Sequence, residues 1–158
     1  MATTETTAPP THVPKVCAYI TRSDGKLLVF EGPEHEGYQV PKGTVEPGER
    51  PREALFREVP EETGLGALAS ATHLATDVWT RRHSPHKRYV RHFYHATVYE
   101  PRDSWSHVVT GEGEERGETF ECTWVDPTDA DDHDRCPVCG SPLSRKNPSN
   151  AYNGRQNG

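Results

Sequence analysis

Short apolar runs separated by polar turns dominate the first half of the chain. The runs Val16–Ile20 and Lys26–Phe30 flank Ser23-Asp24-Gly25, and β-prone segments on either side of an Asp-Gly turn predict a β-hairpin. The period becomes helical from Pro51 to Glu62, where the apolar positions are Ala54, Leu55, Phe56 and Val59. Pro51 suits the first position of a helix, and Gly64 suits the left-handed residue just past its end.

Further strand-like runs lie at about 71–80, 89–99 and 119–125, separated by polar segments. Residues 31–49 and 100–118 are rich in charged residues, Gly and Pro, and are predicted to be loops. This order predicts an α/β domain with a mixed sheet and one clear helix over residues 13–130. We expect residues 1–12 to be a disordered leader and residues 131–158 to be a flexible tail.

Composition narrows the classes of function. The formal net charge of −6 argues against generic binding to nucleic acid or to an anionic membrane. No apolar run approaches the roughly 20 residues that a membrane span needs. Four cysteines in a chain of this length do not form a disulfide framework, and the N-terminus has no apolar signal segment, so we expect a cytoplasmic protein.

Six glutamates fall between residues 43 and 65. On a helix, Glu58 shares a face with Glu61 and Glu62, and like charges at this spacing repel by a few tenths of a kcal/mol per pair. A divalent cation removes that cost, because hard oxygen ligands suit Mg²⁺ or Mn²⁺. From composition alone, these glutamates could equally form an acidic helix face exposed to solvent.

The spacing of these residues resembles the signature of the Nudix hydrolase family. Gly43, Glu49, the Arg57-Glu58 pair with its following hydrophobic residue, the Glu61-Glu62 pair and Gly64-Leu65 fill every fixed position of that signature. The resemblance implies an α/β/α sandwich with a mixed, curved sheet, in which the motif forms a catalytic loop–helix–loop.

The resemblance also implies a role for each matched residue. Glu58, Glu61 and Glu62 correspond to metal-binding glutamates, Glu49 to a glutamate that assists them, and Arg57 to the arginine that orients a catalytic glutamate. Gly43 and Gly64 correspond to backbone positions with unusual dihedral angles. Glu118 resembles a further, distal glutamate of metal binding and catalysis, with Glu114 and Glu115 as rivals. The implied reaction is hydrolysis of a phosphoanhydride by metal-activated water, and the identity of the proton acceptor stays open between these glutamates.

Pro60 lies inside this predicted helix, and proline is unfavourable in the interior of a helix. Proline cannot donate a hydrogen bond to the carbonyl of Phe56, and its ring crowds the preceding turn. We therefore expect the helix to bend or tighten at Pro60 while the site survives.

Two features bear on the substrate. The entry Tyr38-Gln39-Val40-Pro41-Lys42-Gly43 resembles the diadenosine polyphosphate and diphosphoinositol polyphosphate branches of the family, so Tyr38, Lys42 and Gly43 are candidates for substrate binding. The segment 81–92 is a basic patch that suits several phosphates, with Arg81, Arg82, Lys87 and Arg88 as candidates. A charged, solvent-facing hairpin is the alternative. Tyr38, Tyr89 and Tyr94 are aromatic candidates for stacking a base, against packing in the sheet.

The tail carries Cys136-Pro137-Val138-Cys139, which is half of a zinc-binding motif. His133 is the nearest third ligand. Structural Zn²⁺ and unligated thiols in a flexible tail both remain open.

Together these features predict a Mg²⁺- or Mn²⁺-dependent hydrolase of a phosphorylated small molecule, with diadenosine polyphosphate as the leading substrate. Diphosphoinositol polyphosphate and an RNA 5′-pyrophosphate are the alternatives within the same chemistry. A non-catalytic module that senses a nucleotide is the alternative from another class, and homodimer formation stays open.

Overall fold

The computed structural model describes residues 9–33, 37–80 and 86–127. In chain order its elements are β1 (Thr11–Thr21), β2 (Leu27–Glu31), β3 (Lys42–Thr44), α1 (Pro51–Thr63), β4 (Thr72–Thr80), β5 (Lys87–Thr97), β6 (Ser104–Val108) and β7 (Thr119–Val125). None of the helices in these ranges is both long and apolar enough to cross a membrane.

The strands form one mixed sheet in the order β4-β5-β1-β2-β7-β6, with β3 paired to β1. The pair β1–β5 is parallel along its whole length, and the other pairs are antiparallel. β1 pairs with β2 only at Thr21↔Leu27, and nearer its start it pairs with β3. β1 therefore lies between β5 and β3, which brings the segment before the helix next to the centre of the sheet.

Two apolar clusters hold the sheet together. Residues of alternate parity in β1 enter different clusters, as expected for a strand covered on both faces. In the first cluster α1 contributes Ala54, Leu55 and Val59, which are at most 1% exposed, and packs on the sheet. The second cluster contains Cys17, Tyr19, Leu27, Val29, Val40 and Phe93. Because one face of α1 is buried against the first cluster, only the other positions of the helix are available to a functional site.

The predicted hairpin and helix are confirmed. β1 and β2 pair antiparallel across the Asp24-Gly25 turn, and α1 begins at Pro51 and is closed by Gly64 with a left-handed φ of 75°. The loop prediction was wrong for β3 and β6, which are three and five residues long and lack an apolar run. Thr11 and His12, which we assigned to the leader, lie in β1.

The helix continues through Pro60. Pro60 lies in the last turn, where its own carbonyl accepts a hydrogen bond from the N–H of Gly64 at 2.9 Å. Thr63 adds a hydrogen bond from its hydroxyl to the carbonyl of Val59 at 2.6 Å. These two bonds hold the turn that contains Pro60, so Glu61 and Glu62 stay on the same helix as Glu58.

Candidate active site

Glu62 joins the helix to the entry segment. Its Oε1 accepts a hydrogen bond from the backbone N–H of Lys42 at 2.9 Å, and the side chain is only 3% exposed. Burial raises the pKa of the Glu62 carboxyl well above its usual range; the nearby Lys42 ammonium opposes this rise, and Glu115 adds to it. A cation bound close to this carboxyl would favour its charged form.

Glu58 lies directly against Gly43. A Cβ atom at Gly43 would stand 2.0 Å from Cδ of Glu58, so no larger residue fits while this carboxyl keeps its place. The prediction of an unusual dihedral angle is confirmed for Gly64 and wrong for Gly43. Gly43 must be glycine because the Glu58 side chain occupies the position of a Cβ atom. Burial raises the pKa of the Glu58 carboxyl, and its hydrogen bond from Arg57 opposes that rise.

Arg57 connects three of the glutamates. Its Nε and Nη2 donate to the two carboxylate oxygens of Glu49, each at 2.9 Å. Its Nη1 donates to Glu58 at 2.9 Å and to Glu61 at 3.3 Å. The hydrogen bond from Arg57 lowers the pKa of Glu49, and the same bond raises the pKa of the Arg57 guanidinium. One guanidinium thus fixes the orientation of carboxylates on both sides of the helix start, as its fork of donors allows.

The segment between β6 and β7 completes the site. It carries Glu115 and Glu118, which line the same cavity of about 770 Å³ as Glu58 and Glu62. Within the part of the chain that the structure describes, Oε1 of Glu118 is buried and has no hydrogen-bond partner. The cavity is also lined by Val13, Lys15, Lys42, Gly43, Thr44, Glu46, Arg57, Lys87, Tyr89, Glu112, Gly113 and Glu114.

The other candidate residues divide between the cavity and places away from it. Glu49 and Glu61 accept hydrogen bonds from Arg57, which lines the cavity, but they do not line it themselves. Lys42 lines it, although its ammonium donates to the side chain of Gln39 at 2.8 Å. Tyr38 packs against the second apolar cluster, and Arg88 alternates with Lys87 and does not line the cavity. Outside the described residues are Arg81, Arg82, His133, Cys136 and Cys139.

Some lining residues were not identified from sequence. Lys15 donates from Nζ to the hydroxyl of Thr44 at 3.0 Å, and its charge favours the ionised form of Glu58. The parallel pairing of β1 with β5 brings Val13 beside Tyr89. Had this pairing been known, the alternation of side chains along β1 would have identified Val13 as a lining residue. His107 and Gly111 do not line the cavity, but both lie against Glu61 of the helix. The sequence did not identify them, since these contacts depend on the path of a long connection.

The donor set suits a hard divalent cation. Glu58, Glu62 and Glu118 offer carboxylate oxygens to one cavity, and the unpartnered Oε1 of Glu118 is the kind of buried atom that a cation would satisfy. In residues 9–33, 37–80 and 86–127 no three such side chains already stand at coordinating distance.

Comparisons with known proteins agree with this geometry. The family model described as NUDIX domain matches residues 11–138, which is most of the chain. An RNA pyrophosphohydrolase of Psychrobacter sp. is 34% identical over 86 residues, covering 54% of this chain and 49% of that protein. Another, of Halorhodospira halophila, is 38% identical over 74 residues, covering 47% and 41%. The matched segment thus spans less than half the length of either relative.

Solved structures show the same fold. A MutT protein from Methanosarcina mazei superposes with a TM-score of 0.58 at 20% identity, over 78% of this chain and 83% of that one. A MutT NUDIX hydrolase from Burkholderia pseudomallei gives a TM-score of 0.56 at 25% identity, over 74% and 84%. The expected α/β sandwich fold is confirmed, with one helix among the described residues. The chain belongs to the Nudix family.

Proposed function

We propose that this protein is a divalent-metal-dependent hydrolase that cuts a phosphoanhydride bond of a nucleoside polyphosphate or of an RNA 5′ end. The observation that carries the proposal is the buried, unpartnered Oε1 of Glu118 in the same cavity as Glu58 and Glu62. Three carboxylates around one water-accessible cavity suit a Mg²⁺ or Mn²⁺ ion together with phosphate oxygens. A module that merely senses a nucleotide does not require them.

Glu58, Glu62 and Glu118 would hold the cation, with Glu49 and Glu61 supporting them through Arg57. A bound cation would neutralise charge at the phosphoryl oxygens and would lower the pKa of the attacking water. Arg57 holds Glu58 in place, and the N–H of Lys42 holds Glu62. One of the cavity carboxylates accepts the proton of the attacking water. Lys15 and Lys87 place positive charge on the wall formed by β1 and β5, where it favours substrate phosphates.

An RNA 5′-pyrophosphate is the substrate that we place first. The two relatives described above are named RNA pyrophosphohydrolases, and a 5′ end presents the anhydride without requiring a broad basic surface. Diadenosine polyphosphate is the second candidate, supported by the Pro41-Lys42-Gly43 entry. Diphosphoinositol polyphosphate shares that support.

A substrate panel tests the proposal. We expect Mg²⁺- or Mn²⁺-dependent release of phosphate or pyrophosphate from 5′-triphosphorylated RNA, diadenosine tetraphosphate or a diphosphoinositol polyphosphate. Glu62→Gln should abolish most of this turnover. Glu31→Gln removes one charge from β2 away from the cavity and should leave the turnover unchanged. Turnover that is equal in Glu62→Gln and wild type would contradict the catalytic assignment.

Zinc in the tail and homodimer formation are separate proposals from sequence. Zinc content measured before and after Cys136→Ser tests the first proposal. Sedimentation equilibrium tests the second.

A further inference from the structure

An aromatic wall borders the cavity on the side away from the helix. Tyr89 of β5 lines the cavity and pairs in register with Val13 of β1. Lys87, two residues earlier in β5, lines the same cavity, as expected for the same face of a strand. This wall is formed by strands, and strands hold a side chain in a more constant position than a loop does.

Trp79 of β4 backs the Tyr89 ring. The two residues are cross-strand partners, with ring centroids 5.6 Å apart and planes inclined by 41°. Arg91 in turn lies over Trp79, with its guanidinium carbon 5.5 Å from the ring centroid. Arg91 is only 6% exposed, and its Nε and Nη2 donate to Asp77 at 2.8 and 2.6 Å. The tyrosine ring therefore rests on a packed and charge-paired support.

The register places this wall at a definite separation from the carboxylates. β1 stands between β5 and β3, so Tyr89 and Gly43 are two strand spacings apart, roughly 10 Å. Their partners on β1 are Val13 and Val16, which adds three residues, roughly 10 Å, along the strand. Residues three positions apart on β1 point to opposite faces of the sheet. Tyr89 and Glu58 nevertheless line one cavity, so a ligand in that cavity can contact both side chains.

We propose that Tyr89, supported by Trp79, is the platform on which the nucleobase of the substrate stacks. This inference rests on the proposed function for its substrate class and adds the base-binding residue. Tyr94 does not serve, since it is 7% exposed and packs in the first apolar cluster, and Tyr38 packs in the second. An aromatic face accepts any base, so the platform selects for a nucleoside and does not read its identity.

Binding of two matched ligands without an anhydride tests the platform apart from catalysis. Adenosine 5′-monophosphate carries a base at the sugar carbon where ribose 5-phosphate carries a hydroxyl, and calorimetry gives a Kd for each. We expect the nucleotide to bind wild type on the order of tenfold more tightly or better, since a stacked base commonly contributes that much. Tyr89→Ala should bring the ratio of the two Kd values close to one, and Tyr89→Phe should preserve it.

Tyr99→Ala is the matched control, because Tyr99 is 90% exposed and lines a different hollow. It should leave the ratio unchanged. An unchanged ratio in Tyr89→Ala, or a wild-type ratio of one, would overturn the platform and assign the ring to cross-strand packing. A base-dependent ratio that Tyr89→Ala removes, in a protein that hydrolyses none of the panel substrates, would support the platform while sinking the proposed hydrolysis.

Discussion

His107 of β6 donates a hydrogen bond from Nε2 to the backbone carbonyl of Glu61 in α1, at 2.8 Å. The helix ends two residues later, so this carbonyl has no partner within the helix. The N–H of Thr110 donates to the same oxygen at 3.1 Å. These contacts dock the segment that carries Glu115 and Glu118 onto the helix that carries Glu58 and Glu62.

Removal of this contact should loosen the site without unfolding the protein. In His107→Phe we expect kcat to fall on the order of ten- to a hundredfold, because small displacements of catalytic groups have effects of that size. His107→Gln keeps an N–H donor and should recover part of the loss. Steady-state kinetics measures both variants, with His73→Gln on β4 as the control. An unaltered kcat in His107→Phe would show that the segment is held without this bond.

Arg57→Lys tests whether one guanidinium organises the glutamates. A lysine cannot reproduce the two parallel bonds to Glu49 together with the bonds to Glu58 and Glu61. We expect kcat/KM to fall on the order of a hundredfold, while the thermal midpoint falls only slightly, since Arg57 is partly exposed. Retention of full activity in Arg57→Lys would mean that charge alone is sufficient.

Gly43→Ala tests the steric account of the first motif residue. The new methyl group would collide with Glu58, whose Cδ is 2.0 Å from the position that a Cβ would occupy. We expect a large loss of turnover with a circular dichroism spectrum like that of wild type. Gly66→Ala is the matched control, since a Cβ there meets no atom within 4 Å. Equal turnover in the two variants would contradict the close approach.

The helix and its two ends could be predicted from sequence because the signals are local. Pro51, Gly64 and the spacing of apolar residues act within the segment that they describe. β3 and β6 could not, since they are short and owe their existence to partners that are distant in sequence. The role of Tyr89 likewise depends on the parallel pairing of β1 with β5. The docking of the segment that carries Glu118 depends on the hydrogen bond between His107 and Glu61, which are 46 positions apart. Long-range pairing of this kind leaves no local signature.

His95 gives the fold a measurable pH dependence. Its ring accepts or donates a hydrogen bond with the hydroxyl of Thr21 at 2.8 Å, and burial lowers its pKa below the usual 6.5. Because the unfolded chain takes up the proton first as pH falls, stability should be full above pH 6.5 and decline below it, down to the folded pKa. Chemical denaturation between pH 7.5 and 5.5 should give a shallower decline for His95→Gln than for wild type. Identical declines would contradict this assignment.

The most direct test of the central claim is Mn²⁺ binding followed by electron paramagnetic resonance. We expect wild type to bind the ion and Glu118→Gln to bind it on the order of tenfold or more weakly, because the substitution removes an anionic oxygen that is otherwise unpartnered within the described residues. Glu31→Gln, which removes the same charge away from the cavity, should bind as wild type does. Equal affinity in Glu118→Gln and wild type would contradict a metal site built from Glu58, Glu62 and Glu118.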